Sequence, residues 1–124
     1  MKRFMSLILI TVMLFAVGSV AMAADYKIGV VTGTVSQGED EYRGAENAAA
    51  KYGDMIVHAI YPDNFMQEQE TTIAQIVQLA SDRSVKAIVI SQAVPGTVAA
   101  IRQVKDMRPD VKFILPTRSR VWLK

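Results

Sequence analysis

The feature that most constrains the fold is an alternation of short apolar runs with amphipathic stretches. Four runs rich in Ile and Val, namely YKIGVV, MIVHAIY, VKAIVI and VKFIL, begin at Tyr26, Met55, Val85 and Val111. Between them, apolar residues recur at three- and four-residue spacing, which indicates one buried face of a helix. Strands that alternate with helices predict a parallel sheet with right-handed crossovers. We therefore expect an α/β fold of order βαβαβαβ: an open, mostly parallel four-stranded sheet of flavodoxin-like order, with helices on both faces.

Residues 1–23 have the pattern of a cleaved signal peptide. Lys2 and Arg3 precede an apolar run over residues 7–20, and residues 21–23 (AMA) offer the small side chains of a cleavage site. The apolar run is short for a transmembrane helix, which needs about 20 residues. The sequence contains no Cys that could carry a lipid. We expect a periplasmic protein with no stable membrane anchor after cleavage.

The sequence divides into the leader, one α/β domain over residues 24–116 and an irregular basic tail over residues 117–124. The tail abandons the strand–helix rhythm and carries the single Trp, so we expect a frameshift or premature stop in a longer gene. The chain has 14 Lys and Arg against 12 Asp and Glu, a net charge of +2. The excess lies in the leader and tail. Because nucleic-acid binding needs clustered Lys and Arg along one face, we expect no nucleic-acid partner.

Candidate residues for an enzyme or a metal site are few. His58 is the single histidine and lies inside the second predicted strand, where a packed or edge position is expected. Without Cys, the usual zinc ligand sets are missing. Gly33 and Gly38 do not form a G-x-G-x-x-G motif, and no phosphate-binding G-x-x-x-x-G-K-[ST] motif occurs. We expect no catalytic residue, no metal and no cofactor, and a small flavodoxin-like enzyme is the weaker alternative.

Three local patterns concern the first helix. Ser36 followed by Glu39 matches a capping box, which predicts that the Ser36 side chain caps the start of the helix. Tyr42 and Tyr52 fall on the apolar stripe of this helix and are predicted core residues. Gly53 is expected to end the helix, because glycine adopts the left-handed conformation without penalty.

Polar loops follow the predicted strands. In open α/β sheets, ligands bind outside the carboxyl ends of the strands, where the strand order reverses. The loops TGTVSQ and SQAVPG, after the first and third strands, offer hydroxyls and amides without net charge, which suits a sugar or nucleoside. Ordinary turn chemistry explains the same residues equally well. Tyr61 ends the second strand beside Asp63, where its ring could stack on a ligand.

Several stretches resemble the N-terminal lobe of type I periplasmic binding proteins, the ribose-binding-like group. The resemblance rests on the strand KIGV (27–30), the helical run RGAENAAA (43–50), the strand AIVIS (87–91) and the polar loop QAVP (92–95). It covers about residues 26–115 and is closest to a poorly characterised branch of predicted periplasmic proteins. It implies one lobe of a two-lobe receptor that closes on a small polar solute and delivers it to the membrane permease of an ABC importer.

The resemblance also implies which residues contact the solute. In the loops after the first and third strands they are Thr34, Ser36, Gln37, Ser91 and Gln92. Tyr61 and Asp63, after the second strand, are weaker candidates. That family has a second lobe, which this sequence does not contain, so we expect a fragment with half a cleft. The alternative is a stand-alone secreted α/β signalling or adaptor domain.

Overall fold

The computed structural model describes residues 25–116 as four strands and three helices. The strands are β1 (Lys27–Thr32), β2 (Ile56–Ile60), β3 (Val85–Ile90) and β4 (Lys112–Ile114), and the helices are α1 (Glu39–Tyr52), α2 (Gln69–Ser81) and α3 (Thr97–Met107). A single 3-10 turn, Gly53–Met55, connects α1 to β2. The predicted signal peptide and the predicted tail over residues 117–124 lie outside the described residues.

Every neighbouring pair of strands in the sheet is parallel, in the order β2-β1-β3-β4. The chain steps from β1 to β2 in one direction and then to β3 and β4 in the other, so the strand order reverses between β1 and β3. Right-handed crossovers then place α1 on one face of the sheet and α2 and α3 on the other. The helices α2 and α3 also pack against each other. The predicted open parallel sheet of flavodoxin-like order is confirmed.

The core lies between the sheet and the helices α2 and α3. Ile88 of β3, Ile76 of α2 and Val104 of α3 are completely buried and belong to one apolar cluster. Burying side chains of this size stabilises the fold by about 1.5–3 kcal/mol each. Gly29 lets α2 approach closely, since an added Cβ would lie 3.1 Å from Leu79 Cδ1.

Within residues 25–116, α1 is the helix on the opposite face of the sheet, and it covers that face only in part. This helix packs on β1 and β2, and Ala45 is its buried residue. On the β3–β4 half of the same face, Val89 pairs with Ile114, whose side chain is 55% exposed. Within residues 25–116, no helix covers this half of the sheet, which leaves an apolar surface open.

The helix α1 does not begin as the sequence predicts. Its N-cap is Gly38, and no side chain caps it. The Ser36 hydroxyl instead donates to Asp63 Oδ1 over 3.0 Å. The predicted capping box with Glu39 is therefore wrong, because a partner from the next loop takes the serine hydroxyl.

The prediction for the end of α1 is partly confirmed. Gly53 terminates the helix with φ 58° and ψ −133°, a positive-φ conformation that favours glycine although it is not the left-handed helical one. Tyr52, however, is 52% exposed and lies beside the Lys51 ammonium, so its assignment to the core is wrong. Tyr42 is half-buried and makes an edge-to-face contact with His58, with ring centroids 5.2 Å apart.

Candidate functional site

The carboxyl ends of β1, β2 and β3 meet at one edge of the sheet, and the segments that follow them form the candidate site. We name these segments the β1 loop (33–38), the β2 loop (61–68) and the β3 loop (91–96). Tyr61 N–H donates to Thr32 O over 3.0 Å, and Ser91 N–H donates to Val31 O over 2.9 Å. These bonds continue the sheet by one residue and hold the three loops side by side.

Gln37 ties the β1 loop to the β2 loop. Its Oε1 accepts from the Thr34 backbone N–H over 3.2 Å, and its Nε2 donates to the carbonyl oxygens of Pro62 and Asp63 over 3.3 and 2.8 Å. The backbone N–H groups of Gln37 and Gly38 both donate to Thr34 O over 3.1 Å, which closes a turn. Gln37 is thus bonded within the protein and positions the two loops.

The side chain of Asp63 is held by the β1 loop. Its Oδ1 accepts from the hydroxyls of Thr34 and Ser36, the latter over 3.0 Å. The two hydroxyl oxygens lie 2.8 Å apart. Because each hydroxyl has one proton, Ser36 donates either to Thr34 or to Asp63 at any moment. Asp63 Oδ2 accepts no hydrogen bond from the described residues, so one oxygen of an oriented carboxylate is left open.

Tyr61 does not offer its ring to a ligand. The side chain is 2% exposed and belongs to the core cluster, where its ring meets Phe65 edge-on at 5.7 Å. Its hydroxyl donates to Gln92 Oε1 over 3.2 Å and lies beside Gly33. Burial raises the pKa of Tyr61, which keeps this hydroxyl protonated. The expectation of a stacking ring is therefore wrong, and Tyr61 positions the Gln92 amide.

The β3 loop supplies polar groups that the protein leaves unpaired. The hydroxyls of Ser91 and of Thr97, at the start of α3, are buried and have no hydrogen-bond partner within residues 25–116. Gln92 is exposed, and its Nε2 donates to none of the described residues. Leaving a buried polar group unpaired costs about 1–3 kcal/mol. The exposed Gln92 amide is therefore the group of this loop that a solute could reach directly, whereas the hydroxyls of Ser91 and Thr97 are shielded from solvent.

His58 supports the β1 loop from the α1 side of the sheet. Its Nε2 lies 2.7 Å from Thr32 Oγ1, which itself donates to Gly33 O over 2.9 Å. Burial lowers the pKa of His58, with the negative charge of Glu46 acting in the opposite sense, so folding favours the neutral ring. When Thr32 donates to Gly33, the ring must donate its Nε2 proton to Thr32.

Other parts of the described chain offer less to a ligand. A groove of about 470 Å³ runs between the open edge of β2 and α2, lined by His58, Ile60 and Gln75 among others, and it contains none of the predicted contact residues. Across residues 25–116, no three His, Asp or Glu side chains gather to hold a metal ion. No helix in that range has the length and apolar character needed to cross a membrane.

The structure brings the predicted contact residues together in two neighbouring networks. One contains Thr34, Ser36, Gln37 and Asp63, and the other contains Tyr61 and Gln92, next to Ser91. Sequence reasoning missed Gly33, which lies between the two networks: an added Cβ would be 2.5 Å from Gln37 Oε1 and 2.9 Å from the Tyr61 hydroxyl. An isolated glycine at the end of a strand pattern signals such a close approach.

Two known proteins are similar to this chain. A protein of Treponema pallidum (strain Nichols), named "Uncharacterized protein", is 32% identical over 105 residues, which is 79% of this chain and 48% of that protein. A crystal structure from Clostridium difficile 630, named "Putative transcriptional regulator", is 34% identical with a TM-score of 0.63 and covers 73% of this chain and 28% of that one. This chain thus spans about half of the first protein and about a quarter of the second.

A family model described as "Protein of unknown function (DUF3798)" matches residues 26–119. Residues 25–116 form four strands, three helices and the three loops of the candidate site, and the match includes all of these elements. It covers well over half of the chain. The chain therefore belongs to the DUF3798 family.

Proposed function

We propose that this chain is a solute-binding lobe of an exported receptor, which binds a small polar solute at the three loops without chemistry. One observation carries the proposal: oriented polar groups without a partner in residues 25–116 lie on the loops at the carboxyl ends of β2 and β3, beside the point where the strand order reverses. They are Asp63 Oδ2 and the Gln92 amide N–H₂, and the Ser91 hydroxyl of the β3 loop is unpaired but buried. Ligands of open α/β sheets bind at this point, and a few convergent polar groups are what such a site requires.

The proposal extends to the longer proteins that this chain resembles. The chain matches 48% of the Treponema relative, which leaves room for a second lobe there. In a type I periplasmic binding protein, two lobes close on the solute by a hinge, and closure promotes docking on the permease of an ABC importer. The leader pattern of residues 1–23 supports export to the periplasm.

The side chains at the site favour binding over catalysis. Ser91 is the hydroxyl left unpaired in the β3 loop, and the described chain gives it no hydrogen-bonded base. His58 makes its hydrogen bond to Thr32 instead. A nucleophile needs a base within hydrogen-bond reach, so the geometry supports recognition of an unchanged solute.

The name of the Clostridium neighbour favours a second candidate, a solute-sensing domain of a regulatory protein, which is close to the signalling or adaptor alternative. Both functions use the same loops but differ in location. Fusing residues 1–30 to alkaline phosphatase, which is active only after export, separates them. An active fusion supports the exported receptor, and an inactive fusion whose protein accumulates in the cytoplasm supports the regulator.

Solute binding is tested by nuclear magnetic resonance on the full chain. ¹H–¹⁵N spectra are recorded during titration with individual sugars and nucleosides. We expect at least one solute to shift amides of the β1 and β3 loops with saturation, and Gln92→Ala to weaken it by about 2- to 10-fold, the value of one hydrogen bond. Gln103→Ala, at an exposed position of α3, is the matched control. Absence of loop shifts with every solute, or equal weakening by the control, would contradict the proposal.

A further inference from the structure

The edge of the sheet that carries the three loops is rich in carboxylates, one of which, Glu39, pairs with Arg43 of α1 over 3.6 Å. The segments 33–42, 61–72 and 91–101 contain Asp63 and five further carboxylates but no Lys or Arg. Basic residues of the strands lie at the opposite edge: Lys27 and Lys112 are the first residues of β1 and β4. Lys27 pairs there with Asp82 over 3.1 Å, so the opposite edge carries charges of both signs.

Helix dipoles account for most of these carboxylates but not for Asp63. Glu39, Asp40 and Glu41 lie in the first turn of α1, and Glu70 lies in the first turn of α2, where negative charge is stabilising. Asp63 precedes α2 by six residues and belongs to neither helix. Its carboxylate is oriented by hydroxyls of the β1 loop instead, and its Oδ2 is left open.

We infer that the solute bound at the three loops is a cation, a polar molecule with an amine whose ammonium group pairs with Asp63. This inference rests on the proposed function and replaces a neutral sugar or nucleoside with an amine-bearing solute. An ammonium would donate to Asp63 Oδ2 in a charge-assisted hydrogen bond, which is about twice as strong as a neutral one. The exposed Gln92 amide would bind the uncharged part, and the surrounding carboxylates would repel an anionic solute.

The charge of the solute is tested with three matched molecules. Glucamine, glucitol and gluconate share a six-carbon polyol chain and differ at one end, which is an ammonium, a hydroxyl or a carboxylate. Each is titrated into the full chain, and loop amides are followed by ¹H–¹⁵N spectra. We expect glucamine to bind about fivefold more tightly than glucitol, the upper value for an exposed ion pair, and gluconate to bind most weakly.

Two variants test whether the preference for glucamine over glucitol depends on the Asp63 carboxylate. Asp63→Asn keeps an acceptor for Thr34 and Ser36 but removes the charge, so the affinity ratio of glucamine to glucitol should fall to about one. Asp106→Asn removes an exposed carboxylate near the far end of α3 and should leave the ratio unchanged.

The outcomes separate this inference from the proposed function. Loop shifts with equal affinity for the three molecules, or an unchanged ratio in Asp63→Asn, overturn the cationic solute but leave solute binding at the loops intact. If no loop amide shifts with any of the three, the cationic solute is overturned, and the titration with sugars and nucleosides decides the proposed function separately.

Discussion

Replacing Gly33 with alanine should disturb the candidate site and the core together. The added Cβ would lie 2.5 Å from Gln37 Oε1 and 2.9 Å from the Tyr61 hydroxyl, both closer than carbon and oxygen can approach. Gln37 is half-buried and can swing away, but it then gives up its bonds to Thr34, Pro62 and Asp63. Tyr61 is 2% exposed and can move only if the core moves.

The expected loss of stability follows from these contacts. Overpacking a well-packed site costs about 1–3 kcal/mol, and the displaced hydrogen bonds of Gln37 add about 0.5–1.5 kcal/mol each at most. Alanine also reduces the conformational entropy of the unfolded chain, which stabilises the folded state by about 0.4–1 kcal/mol and offsets part of this loss. We expect Gly33→Ala to lower the free energy of unfolding by about 2 kcal/mol, measured by urea denaturation with far-ultraviolet circular dichroism. The corresponding fall in Tm is roughly 8–16 °C for a domain of this size.

The same substitution in α1 is the control. Gly44 has nothing within 4 Å of an added Cβ, so Gly44→Ala should stabilise the chain by about 0.4–1 kcal/mol. The double variant Gly33→Ala/Gln37→Ala should lose less than the sum of the single losses, because the clash with Gln37 is gone. Wild-type stability of Gly33→Ala, or strict additivity in the double variant, would refute the reasoning.

Three further predictions concern pH and the open face of the sheet. Because burial lowers the pKa of His58 below its ordinary 6.5, the unfolded chain binds this proton first as pH falls. Urea midpoints should therefore decrease below about pH 6.5, and His58→Gln should flatten that slope. The carboxyls of Asp82 and Asp110 have pKa values of about 2 instead of 3.8. Their stabilisation should be complete above pH 3.8 and lost towards pH 2, and Asp110→Asn should reduce the loss in acid unfolding curves. We expect the exposed apolar surface around Ile114 to cause self-association in sedimentation velocity, and Ile114→Lys should reduce it while changing stability by less than about 0.5 kcal/mol. Undiminished association of this variant would show that the surface is not the contact.

The fold was predictable because its signals are local and repeated. Runs such as VKAIVI at 85–90 are nearly apolar throughout, which predicts a strand covered on both faces. The alternation with helices then leaves few topologies. The end of α1 at Gly53 was predictable for the same reason, since the preference for glycine at a positive φ is local.

The contacts of the site were not predictable, because they join residues far apart in the sequence. Ser36 and Glu39 fit a local capping box, but Asp63, 27 positions from Ser36, takes the hydroxyl. A local sequence pattern cannot show that the Ser36 hydroxyl will bond to Asp63 and not cap the helix. The position of Tyr61 failed similarly: a tyrosine at a strand end is expected at the surface, yet the β2 loop returns over it and Phe65 packs on its ring.

The unusual position of Tyr61 has a consequence for how the site opens. Its backbone N–H continues the ladder to Thr32, its ring lies in the core, and its hydroxyl holds Gln92. The base of the candidate site therefore cannot open locally without also disrupting the core. We expect the amides of Tyr61 and Ser91 to exchange with deuterium only through global unfolding. Amides at the tips of the same loops should exchange quickly. Slow exchange at both amides would show that the base of the candidate site unfolds together with the core.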